Sequence, residues 1–135
     1  MWQHPGRRRK SLCGVALAAA LLLPAPAPAT ADPVMEAGLE RLAGTLGAVH
    51  YLRTLCRPNE GQVWRDRMVT LLGRGDLKQA ARDRMVAAFN AGYSRQQSAH
   101  KRCTPAAANL GNTYAREGAA EANRLADRIG PRLES

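Results

Sequence analysis

The sequence predicts an all-α domain: four helices in up-down-up-down order, stapled by one disulfide and preceded by a signal peptide. Three observations carry that expectation. Apolar residues recur at steps of three and four in four separate stretches, the pattern of a helix with one buried face. Breakers punctuate those stretches at Pro58, at Gly73-Arg74-Gly75, at Thr104-Pro105 and at Gly130-Pro131. No stretch shows the alternation of a half-buried strand.

Composition sets the leader apart. The first ten residues, MWQHPGRRRK, hold four basic residues and no acid, and an apolar run of 13 residues follows as SLCGVALAAALLL. Small residues then lead to Ala29-Thr30-Ala31. A positive n-region, a short apolar h-region and an Ala-x-Ala site describe a secretory signal peptide, residues 1–31, cleaved before Asp32. The run is too short for a spanning helix, which needs about 20 apolar residues. Cys13 leaves with the leader. Residues 32–135 then form one small helical domain, expected in the periplasm.

The first helix begins at Asp32, a capping residue, with Pro33 in its first turn. Met35, Leu39, Leu42, Leu46, Val49, Leu52 and Cys56 share one face. Arg57-Pro58 closes the helix, because the residue before proline avoids the helical region. The second helix is expected from Asn59, with Asn59 and Gln62 as a variant capping box. Its face is Trp64, Met68, Leu71 and Leu72. Asp76 is read as the cap of the third, whose inward residues are Leu77, Ala81, Met85, Ala88, Phe89 and Gly92, with Tyr93 at the margin and a polar end near His100. Thr104 caps the fourth. That helix runs to about Ile129 with a face of small residues, Ala107, Gly111, Ala115, Gly118 and Ala122, which suits close approach by another helix. Short connections make consecutive helices antiparallel neighbours.

This order puts Cys56, at the end of the first helix, and Cys103, before the fourth, at the same end of the bundle. Two cysteines in an exported chain favour a disulfide. The competing use of that end is a metal-binding or redox site built from Cys56, Cys103, His100 and His50. The spacing matches no zinc motif, and neither Cys-x-x-Cys nor Cys-x-x-Cys-His occurs. No metal or other cofactor is therefore expected.

One pentapeptide occurs twice: Arg65–Val69 and Arg82–Val86 both read RDRMV, and the likeness fades outside these five residues. Helical geometry puts Met68 and Met85 on the apolar faces and turns Asp66 and Asp83 away from them. Level across an antiparallel hairpin, Arg65, Arg67, Arg82 and Arg84 gather at one height. Such a seam is either solvated, paired with acids of other helices, or open to a carboxylate or phosphate. Arg74-Gly75-Asp76 reads as a turn and a helix cap rather than as an adhesive tripeptide.

Net charge is +9, but the leader holds four of these charges, leaving +5 for residues 32–135. An exported domain of that charge is not expected to bind nucleic acid; a basic face suits an anionic envelope component better. No nucleophile elbow, paired-carboxylate signature or phosphate loop points to an enzyme. The function expected is a periplasmic binding or interaction protein. Its partner is an envelope protein or an anionic envelope component, met through the arginine face, with Trp64 and Tyr93 at its margin. Self-association through the small face of the fourth helix stays open.

Four segments, HYLRTLC (50–56), WRDRM (64–68), MVAAFNAGY (85–93) and CTPAA (103–107), together resemble an uncharacterised family of small exported bacterial proteins. The resemblance runs from about Leu39 to Ile129. It implies export and a disulfide between two well-separated cysteines, here Cys56 and Cys103. It implies no activity, cofactor or partner.

Overall fold

The computed structural model describes residues 22–26 and 30–130. The expected leader lies mostly outside the described residues. Four helices follow one another: α1 (Pro33–Cys56), α2 (Pro58–Leu72), α3 (Gln79–Ala99) and α4 (Pro105–Ile129). No helix among the described residues is long and apolar enough to cross a membrane.

α1 begins as its sequence dictates. The Asp32 carboxylate accepts a hydrogen bond from the Met35 backbone N–H at 2.7 Å, and Glu36 complements the positive helix end. Its burial, however, is not confined to one stripe. Gly38, Ala43, Gly47, Ala48 and Tyr51 are enclosed together with the expected Leu39, Leu42, Leu46, Val49 and Leu52. Position is the cause. α2, α3 and α4 each pack on α1, whereas α2 barely meets α3 and α4 makes no close backbone approach to either. The expected ring of consecutive neighbours gives way to a hub with three spokes. The up-down-up-down order holds: Gly61 early in α2 lies against Thr54 late in α1, and Leu125 late in α4 lies against Gly38 early in α1.

The tightest seam joins α1 to α3, which run parallel. Gly44 and Ala48 meet Ala88 and Gly92, each pair four residues apart on its own helix. A Cβ on Gly92 would strike the Gly44 carbonyl oxygen, and one on Gly47 would strike the Phe89 carbonyl oxygen. Small residues at that spacing let two helix backbones touch. The small face of α4 packs within the chain in the same manner, though less closely. A Cβ on Gly118 would lie 3.3 Å from Thr45 Cγ2, and one on Gly111 would lie 3.3 Å from Leu52 Cβ.

Two expected caps are corrected. α2 starts at Pro58, not at Asn59, and Arg57 alone separates it from α1. Proline suits a first helical position, because its fixed φ is already helical and its missing N–H has no partner there anyway. α3 starts at Gln79 with Lys78 at the cap position and no side-chain cap. Asp76 is committed elsewhere: Arg74 donates to its carboxylate from Nε at 3.1 Å and from Nη2 at 2.6 Å. A two-pronged guanidinium contact outcompetes a single backbone N–H. Leu77 is buried, but in the turn before α3 rather than on the helix.

Candidate functional site

At the top of the bundle, α1 ends and α4 begins, and the Cys56–Cys103 disulfide joins them across 5.0 Å between Cα atoms. The bridge occupies both sulfurs that the metal alternative required. No group of three or more His, Cys, Asp or Glu residues among the described residues is placed to hold a metal ion. The His50 side chain has a structural post. The His50 ring lies against Phe89 and Tyr93, and its Nδ1 donates to the Gly61 carbonyl at 2.8 Å. The His100 carbonyl accepts from the Tyr51 hydroxyl, tying the end of α3 to α1.

The four arginines of the repeated pentapeptide do not form one seam of free guanidiniums. Arg82 turns inward and donates to three backbone carbonyls: Leu72 at 2.9 Å, Leu77 at 2.6 Å and Arg74 at 2.7 Å. These close the α2–α3 turn. Arg84 reaches α1, lying 2.8 Å from Glu36 and 3.4 Å from Glu40. Of the four, only Arg65 and Arg67 have neither a carboxylate nor a carbonyl partner among the described residues. The level-hairpin expectation fails because α2 and α3 are splayed over α1 rather than packed on each other.

The repeat itself is longer than five residues. Gln62 and Gln79 precede the two copies at the same distance, so both read Q-x-x-RDRMV. Each glutamine donates to the aspartate four residues on, Gln62 to Asp66 at 3.1 Å and Gln79 to Asp83 at 2.8 Å. Met68 and Met85 enter the core, while Val69 and Val86 stay exposed. The repeat is thus a helix-building segment used twice, and its arginines serve different ends.

Two other carboxylates are held in their charged form. Arg74 keeps the Asp76 carboxyl below the usual carboxylate range, chiefly through its hydrogen bonds. The same holds for Glu121, first through Arg124 and then through Arg41 of α1. Asp76 braces the turn and Glu121 ties α4 to α1, so neither is poised as an acid or base.

A groove of about 270 Å³ lies between α2 and α4. Leu42, Leu46 and Val49 of α1 floor it. Trp64, Thr70 and Leu71 line one wall; Tyr114, Gly118, Ala119 and Ala122 line the other. Its depth follows from the sequence of α4. Where α2 offers Trp64 and Leu71, α4 offers one glycine and two alanines below Tyr114. Arg67 is the single charged residue of the lining. Its guanidinium lies 4.5 Å from the centre of the Trp64 ring, a cation–π contact that also fixes where the charge stands. The Trp64 indole N–H is buried and has no acceptor among the described residues. Sequence reasoning placed Trp64 on the apolar stripe and noted the small face of α4, but did not oppose the two. Only the spacing of Trp64 and Arg67, one helical turn apart, hinted at their contact.

No curated protein and no solved structure matches the chain. Residues 34–129, almost the whole of the four-helix unit, match the family described as "Protein of unknown function (DUF2385)", and the chain belongs to that family.

Proposed function

We propose that this chain is a periplasmic helical binding module, exported by its leader, stapled by its disulfide, and engaging an anionic envelope component through the exposed arginines of α2. The observation that carries the reading is the apolar groove beside α2 with Arg67 at its rim. Arg65, on the same helix, adds a second cation without a carboxylate partner among the described residues. Guanidinium groups suit carboxylate and phosphate alike. The basic n-region, apolar run and Ala-x-Ala site support export, and a disulfide suits an oxidising compartment.

The test takes protein recovered from the periplasm without reductant. Its mass is expected to begin at Asp32 and to be two hydrogens below that of the dithiol. Co-sedimentation at low salt is expected with vesicles containing phosphatidylglycerol, and not with purely zwitterionic ones. The double variant Arg65→Gln/Arg67→Gln is expected to release the protein without changing its helicity. Equal sedimentation with both vesicle types would refute the anionic partner.

A further inference from the structure

We infer that the groove between α2 and α4 is a binding site for a single-chain amphiphile with an anionic head, its hydrocarbon chain laid between the helices and its head at Arg67. The inference rests on the binding-module reading and names the chemistry of its ligand.

Three observations converge on this. First, the groove is apolar on its floor and mostly so on its walls, and it opens to solvent at Thr70, Ala119 and Ala122, so a hydrocarbon chain laid in it takes apolar surface out of water. The space exists because Gly118, Ala119 and Ala122 stand opposite Trp64 and Leu71; one larger residue on α4 would close it. Second, the charge is single and placed. Arg67 is exposed, has no carboxylate partner among the described residues, and is held over the Trp64 ring at the groove edge. No acid lines the groove, so an anion meets attraction and no opposing repulsion. Third, size selects the chain. At about 270 Å³, the groove falls just below the range of about 300–1,000 Å³ usual for ligand pockets. One medium chain suits it, and the paired chains of a phospholipid do not.

Sodium decanoate below its micelle concentration is the probe, with decanol as its uncharged counterpart. Both are titrated by calorimetry into the disulfide-bonded protein taken from the periplasm. Decanoate is expected to bind several-fold more tightly than decanol. Arg67→Gln is expected to weaken decanoate about tenfold, the loss of one charge-assisted contact, and to leave decanol unchanged. Ala122→Leu is expected to abolish binding of both while keeping or raising Tm, since it fills the groove. The conservative Arg67→Lys keeps the charge and is expected to restore much of the preference. Failure of decanoate to bind overturns the proposal, as does binding that persists in a folded Ala122→Leu protein. Protein that sediments with anionic vesicles yet ignores decanoate sinks the groove proposal and leaves the broader reading intact. Decanoate binding without vesicle binding has the opposite consequence.

Discussion

Arg82 shows how far a residue's role departs from its local sequence. It occupies the same place in the repeat as Arg65, yet its three donors are spent on the carbonyls that end α2 and shape the turn. Unpaired, partly buried carbonyls are costly, and hydrogen bonds from a charged donor contribute more than neutral ones. Arg82→Gln is expected to lower stability by about 2 kcal/mol and Tm by roughly 10 °C, read by thermal melting. Arg65→Gln, at the matching position of α2, is expected to stay within about 0.5 kcal/mol. A shared drop would show that the two copies do the same work. The sequence reveals that both residues are arginines on helix flanks. It does not reveal which one faces a turn, because that depends on how α2 and α3 sit on a third helix.

Helix positions were largely legible, and their contacts much less so. Asp32 and Thr104 cap α1 and α4 as their side chains dictate, with Thr104 Oγ1 accepting from the Ala107 N–H at 3.1 Å. Periodicity marks the buried Leu39, Leu42, Leu46 and Leu52 because one apolar row is enough to define a face. The α1–α3 seam was half legible: Ala88 and Gly92 fell on the inward face of α3, but Gly44 and Gly47 look like poor helix residues in isolation. Their value lies in what they permit between helices. A methyl group at Gly47 would overlap a backbone carbonyl rather than a side chain that can swing away. Gly47→Ala is therefore expected to cost about 3 kcal/mol, despite the higher helix propensity of alanine. Chemical denaturation measures it, with Gly75→Ala as the control, since nothing lies within 4 Å of a Cβ there. A neutral Gly47→Ala would mean that the two backbones are not in contact. The groove was illegible for a related reason. Pattern identifies apolar residues, but not which of them lack a neighbour.

At the scale of the molecule, the disulfide and the hub divide the labour. α4 packs closely on α1 alone, so its hold on the domain rests on one helix face, its side-chain contacts and the bridge at its start. Closing a loop of 47 positions stabilises by roughly 4 kcal/mol on chain-entropy grounds. Removing it with Cys56→Ser/Cys103→Ser is expected to loosen α4 first. Hydrogen exchange should show protection lost along Pro105–Ile129 while α1 and α3 keep theirs, since their seam does not depend on the bridge. Simultaneous loss across all four helices would instead make the bridge a support of the whole core. The hub also sets an order in time. α1 is the first of these helices to be synthesised, and it is the one that every other helix leans on. At about 5–20 residues per second, it waits several seconds for α3 and longer for α4. Until then its leucines have only α2 to pack against. A fold centred on its first helix thus postpones its own completion until most of the chain has been made.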